Sequence, residues 1–435
     1  MLDHQEWRPS ALSTGSWVLY DLANTVFSLG VGALYFADWL NDNRSDLPGW
    51  VIGNDTAELA LALALNAAMV VVIVLGPWIG ARSDHRGSRR RYLVPMTLLC
   101  IAPTFFLATA SVSMSLVLFA LALVGFNLGG IVYDAMLPDV STPQTLGRVS
   151  GIGIGVGYLG SVIAVVLGAL ILDQHGHAAV FRMIAILFLV LALPSFFLIR
   201  ERPHLRQPGP PPALRKSFVR LYHAWKRART YPGVTRFLVG RFLYTDAVNT
   251  LIGGYLTIYV KEELGFTTDQ VQALLGVAIA GAIVGGLAGG VLVDRYGPRR
   301  LLHLVLYAWI VAFAVAIAAG AASAGVLGWL LGGLGGMALG SLWASDRAYM
   351  ARISPPRHLG EFYGLYATMG RFATIVGPLM FGLIVTVLGW PRELAMAVLM
   401  LFVVAGRLVL RAWMTGPGSG PPPTVSSEAR SSVVG

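Results

Sequence analysis

Gly80-Ala-Arg-Ser-Asp84-His-Arg-Gly87-Ser-Arg89-Arg90 and Gly290-Val-Leu-Val-Asp294-Arg-Tyr-Gly297-Pro-Arg299-Arg300 are two copies of one pattern, G-x-x-x-D-x-x-G-x-R-R. Each follows the second apolar run of its half of the chain. Two further pairs recur in the same order. Asp21-Leu-Ala-Asn24-Thr25 answers Asp246-Ala-Val-Asn249-Thr250, and Leu146-Gly147 through Gly151 answers Leu359-Gly360 through Gly364. Three pairs in register, with an even number of runs per half, make the repeats parallel, related by an axis along the membrane normal.

The runs themselves identify the solvent. A span needs about 20 mainly apolar residues. Such runs lie near 16–40, 57–81, 92–111, 114–137, 149–172 and 178–199, then near 236–260, 270–293, 300–321, 323–345, 361–387 and 390–413. The chain of 435 residues is 56% apolar and 12% charged, about half the charged share of a soluble domain, so lipid must face the surplus. The division expected is a six-helix bundle over 1–199, a basic linker over 200–235, a second bundle over 236–414 and a Pro/Gly/Ser tail over 415–435 with the composition of disorder.

Charge sets the orientation. Basic residues gather in alternate loops, at Arg82 to Arg91, in the linker, at Arg295 to Arg300 and at Arg347 to Arg357. The opposite loops are short or acidic, as with Asp38, Asp42, Asp46, Asp55 and Glu58. By the positive-inside rule the basic loops and both termini face the cytoplasm of a cell membrane, bacterial inner membrane included. The net charge of +10 is thus topological, directed to headgroups and not to nucleic acid. Met1 to Gly15 shows no cleavable leader pattern. One cysteine, Cys100, excludes an internal disulfide, and no Cys/His spacing calls for a metal or other cofactor.

The repeated loop resembles the signature loop of the major facilitator superfamily. Tyr20-Asp21-Leu-Ala-Asn24, Tyr133-Asp134-Ala-Met-Leu-Pro138-Asp139, Gly157-Tyr158-Leu-Gly160 and Glu361-Phe-Tyr-Gly-Leu-Tyr366 before Gly370-Arg371 resemble the unknown-major-facilitator group, which includes the fungal vacuolar amino-acid effluxers. The resemblance covers nearly all of the chain except the ends and the linker. It implies an all-α membrane protein of major-facilitator type, twelve transmembrane helices in two parallel six-helix repeats. It also implies that the first and seventh helices line a central cavity.

Candidate residues follow. Asp84 and Asp294, with Arg89, Arg90, Arg299 and Arg300, are read as a conformational latch: each aspartate can accept N–H groups at a neighbouring helix start, in one state only. Asp21 and Asp246 lie within spans, where a carboxylate costs roughly 2.5–3.5 kcal/mol, so each faces a cavity or a partner. Asn24 and Asn249 share their faces. These carboxylates either bind an ammonium group or a proton, or hold neighbouring helices together. Arg371 needs a partner from another helix, with Asp246 and Asp134 as candidates, or a solute carboxylate. Arg241 reads as a residue that snorkels to the interface. Asn66, Asn127, Tyr158, Tyr244, Tyr255 and Trp343 are further cavity walls. The G-x-G-x-x-G at Gly155, Gly157 and Gly160 sits inside an apolar run, which suits helix packing and not a nucleotide.

The function expected is secondary transport of a small polar metabolite, with amino acids as one candidate and protons as a candidate coupling ion, by a monomer without catalytic residues. Drug export, lipid flipping and a non-transporting receptor are the alternatives.

Overall fold

The computed structural model describes residues 7–47, 56–109, 111–202, 217–322, 324–374 and 376–411. Asp55, the linker's prolines and the 415–435 tail lie outside the described residues.

Helix α1 spans Ala11–Asp42. Ser10 caps it, its hydroxyl accepting the Ser13 N–H at 3.2 Å, and it widens into a π turn at Gly30–Tyr35. Then come α2 (Thr56–Arg86), α3 (Arg90–Phe105) and α4 (Val112–Ala135). Helix α5 runs over Leu146–Phe197 and breaks at Gly176, whose φ of 73° glycine adopts without strain. A linker helix, α6 (Ser217–Ala228), leads to the second half. There α7 (Pro232–Thr250) continues through a π turn at Leu251–Tyr255. Helix α8 (Thr268–Tyr296) starts from a Thr267/Gln270 capping box. The remainder is α9 (Pro298–Ala321), α10 (Gly325–Ile353), α11 (Leu359–Phe372), α12 (Val376–Gly382) and α13 (Arg392–Arg411).

Among the described residues nine helices are long and apolar enough to cross a bilayer, where hydropathy predicts twelve runs. The difference has local causes. The fifth and sixth runs share α5, broken only at Gly176. The third, α3, has 16 residues with Pro95 and Pro103 inside, and at 1.5 Å per residue falls short of a 30 Å core. The seventh, α7, carries Arg236, Arg241 and Asp246 within 19 residues.

The halves meet along two seams, α2 on α11 and α5 on α8. Both are built from glycine, which lets backbones touch. A methyl at Gly80 would strike the Gly360 carbonyl, and one at Gly364 would sit 2.7 Å from Pro77 Cα. Across the other seam, a methyl at Gly290 would lie 2.6 Å from the Gly147 carbonyl. Gly155 also packs on α8, while Gly160 fits against the α1 backbone.

One loop assignment needs correction. Arg347 is not in a cytoplasmic loop: α10 continues to Ile353, and Asp346 and Arg347 are buried in it.

Candidate functional site

At the basic-loop end, each repeated aspartate caps a helix of the opposite half. Asp84 accepts the N–H groups of Gly360 and Glu361, both at 3.0 Å, at the start of α11. Asp294 accepts those of Gly147 at 2.7 Å and Arg148 at 3.0 Å, at the start of α5. A carboxylate there satisfies open donors and meets the positive end of the helix dipole. The weakest sequence repeat, Leu-Gly before the fifth run, therefore supplies the N–H donors for the aspartates of the strongest.

The surroundings of the two caps differ. Arg89 is buried between Asp139 at 2.9 Å and Asp84 at 3.3 Å. Burial opposes its charge, but the two carboxylates outweigh that and hold its pKa above the ordinary arginine value. Asp294 instead pairs with the exposed Arg148 at 3.5 Å. Arg90 donates its backbone N–H to Glu201, and Arg300 is exposed. Arg299 is partly buried near the start of α9.

Deeper in the molecule, a cavity of about 350 Å³ lies between the halves. That is the size of a small-molecule site. From the first half it is lined by Asp21, Asn24, Thr25 and Ser28 of α1 and by Phe126, Asn127, Tyr133 and Asp134 of α4. From the second half come Arg241, Thr245 and Asn249 of α7, Trp343 and Arg347 of α10, and Tyr366, Gly370 and Arg371 of α11. Asn24 Oδ1 and Thr245 Oγ1 are buried without hydrogen-bond partners among the described residues.

Two ion clusters border this space. Arg347 reaches from α10 to Asp21 at 3.0 Å and Asp134 at 2.9 Å. Trp17 and Tyr133 flank its guanidinium, and they stack at 4.5 Å and bond each other's backbone carbonyls. The second cluster stays within one half. Asp346 accepts from Arg241 Nε at 2.8 Å, from the Tyr366 hydroxyl at 3.0 Å and from the Tyr244 hydroxyl. Arg241 is thus fully engaged in the interior, and the expectation that it snorkels to an interface is wrong.

Other expected cavity residues fall elsewhere. Asp246 is fully buried behind the cavity wall. Its carboxylate, which makes no hydrogen bond of standard geometry among the described residues, faces the start of α12 at Val376 and Gly377. Arg371 pairs with neither Asp246 nor Asp134; it donates to the side-chain carbonyl of Asn127. Asn66 lies exposed on α2, its amide bonded to its own helix at Ala62. Tyr244 belongs to the Asp346 cluster, and Tyr255 packs on Phe381 with ring centroids 4.2 Å apart. Tyr158 is partly buried on α5 and is not among the lining residues.

Arg347, Asp346 and Arg241 join in the ion clusters beside the cavity, although the sequence reading placed none of them there. Their signal was available: three charges with no water-filled loop to hold them must pair inside.

An all-α membrane protein whose two helix bundles enclose a polar cavity and grip each other through duplicated aspartate caps has the fold of the major facilitator superfamily. The fold comparison agrees. The human organic anion transporter MFSD10 matches with a TM-score of 0.75 over 93% of this chain and 100% of that one, at 15% identity.

Within the superfamily, the chain belongs to the Atg22 family. Residues 51–415 match the family model described as vacuole effluxer Atg22 like. An uncharacterised MFS-type transporter of Bacillus subtilis, YxiO, is 27% identical over 89% of this chain and 92% of its own length. Autophagy-related protein 22 of Botryotinia fuckeliana is 28% identical over 58% of this chain, a match spanning about half (48%) of that longer protein. The chain is thus an integral multi-pass membrane protein of a transporter family, not an enzyme family.

Proposed function

We propose that the chain is a secondary transporter that carries a small zwitterionic metabolite of the amino-acid class through the central cavity by alternating access. One observation carries the reading. Arg371 faces the cavity with only a neutral amide partner, Asn127, and no carboxylate pairs with it among the described residues. A guanidinium in such a place is costly unless an anion joins it, and a solute carboxylate supplies one in bidentate geometry. On the other side of the space, Asp134 and Asp21 offer carboxylates to an ammonium group or a proton. The free acceptors on Asn24 and Thr245 suit further polar contacts.

With the basic loops on the cytoplasmic side, the aspartate caps close the cytoplasmic face of a cell-membrane protein, acting as a monomer with both termini inside. The family description of an effluxer supports export of the solute. The test is a thermal-shift screen of the purified protein against amino acids, peptides, sugars and lipids. An amino acid should raise the melting temperature of the parent, and Arg371→Ala should weaken its apparent affinity about 10- to 100-fold. A hit among lipids or sugars alone, indifferent to Arg371, would replace this reading.

A further inference from the structure

Asp346 and Arg347 are adjacent on α10 and face different halves. Asp346 bonds only its own half, through Arg241, Tyr244 and Tyr366. Arg347 bonds the other half, through Asp21 on α1 and Asp134 on α4. Its backbone carbonyl is held in turn by the Tyr363 hydroxyl at 2.8 Å. Helix α10 is thereby fixed to the second half at one residue and to the first half at the next. Any opening between the halves at this level must pull Arg347 away from its two carboxylates.

The level can be read along α5. Gly147 takes the Asp294 cap, Gly151 touches α8, and Gly153 and Gly157 border Asp21. The Arg347 junction therefore lies six to ten residues further along α5 than the cap, roughly 9–15 Å. It forms the floor of the cavity on the side of the basic loops.

The junction is not neutral. One guanidinium meets two carboxylates, and the more open of these is Asp134, with 20% side-chain exposure against 9% for Asp21. The groups facing Asp134 are Arg347 and Asp346 of α10, Asp21 of α1, Arg241 of α7, the hydroxyls of Tyr363 and Tyr366 on α11, and that of Tyr133 on its own helix.

We propose that Arg347 is the positioning residue of an inner gate. While both Asp21 and Asp134 are charged, it ties the halves together beneath the cavity; a proton on Asp134 removes one of its two anchors and favours opening toward the cytoplasm. The inference takes the sidedness and the alternating halves from the transport reading, but it needs no solute. A chain that binds nothing could satisfy it, and a working transporter could fail it.

The experiment is a pulsed electron-spin distance measurement on the full chain in lipid nanodiscs. Labels are placed at Arg86→Cys on α2 and Arg295→Cys on α8, exposed positions in opposite halves, with the buried Cys100 changed to Ser. In the parent the short-distance, closed population should dominate. Arg347→Ala and Asp134→Asn should each raise the ratio of long to short distances about tenfold or more, as loss of a buried cross-bundle charge contact implies. Arg347→Lys, which keeps the charge, should restore most of the closed population. Asp346→Asn should lower the melting temperature while leaving the distances unchanged. Distributions for Arg347→Ala and Asp134→Asn that superimpose on the parent would overturn the gate. So would a shift in Asp346→Asn as large as that in Arg347→Ala, since the effect would then be general loosening. Should Arg347→Ala fail to fold, Asp134→Asn, nearly isosteric, decides alone.

Discussion

Asp21 and Asp246 stand at matching places in the first helices of the two halves, each three residues ahead of an asparagine. In the structure their situations are opposite. Asp21 borders the cavity and is bonded across the molecule by Arg347, whereas Asp246 is sealed behind the wall against the start of α12. Asp84 and Asp294, by contrast, still make the same pair of backbone bonds, each to the opposite half. The duplication survives where the halves grip each other and at Asn24 and Asn249, which both line the cavity, but it breaks at the two aspartates. A two-state closure favours equivalent contacts on the two seams. A binding site for one small solute has no such requirement, because the solute lacks the symmetry.

Substitutions can break this contrast, and the largest effect is expected furthest from symmetry. Asp346→Ala would leave Arg241 buried without its carboxylate and should cost about 3–5 kcal/mol of stability, seen in thermal unfolding of the detergent-solubilised protein. A change under about 1 kcal/mol would show that this cluster does not hold the second half together. Next comes Asp84→Asn, which weakens two helix-start bonds and one anchor of the buried Arg89, at about 1–3 kcal/mol in the same measurement. The central pair follows. Asp21→Asn should lower affinity for the solute about tenfold, while Asp246→Asn should stay within about twofold in the same titration. The reverse order would make the two halves equivalent at the cavity after all. Smallest is Asp294→Asn, at about 0.5–2 kcal/mol, since its guanidinium partner Arg148 is largely solvated. Equal costs at Asp84 and Asp294 would mean that Arg89 adds nothing to the first cap.

Much of this was legible in the sequence, because the bilayer enforces simple rules. Apolar runs give helices, and the repeated G-x-x-x-D-x-x-G-x-R-R gives the two seams. An aspartate beside a short turn has few uses other than capping. The glycines at Gly155, Gly157 and Gly160 read as a helix-packing face, and Gly155 does pack on α8 and Gly160 on α1. What failed to show were the partners. Arg347 and Asp21 are far apart in sequence, and nothing local in either segment specifies the other. Arg347 was also hidden by its neighbours: Arg352 and Arg357 make the segment look like a basic loop, although α10 carries it inward. Arg241 was misread for a similar reason, since snorkelling and burial share the same local pattern and only Asp346 on α10 decides between them. At Asp246 the matched motif left two roles open, a cavity group or a tie between helices, and the carboxylate faces the start of α12.

The most direct measurement is counterflow uptake of radiolabelled amino acids into proteoliposomes, comparing the parent with Arg371→Ala. If Arg371 receives a solute carboxylate, uptake by the parent should stand well above protein-free vesicles and fall about 10-fold or more in Arg371→Ala, with the variant still folded and inserted. Equal uptake by both proteins would contradict it, as would a folded parent that moves none of the amino acids.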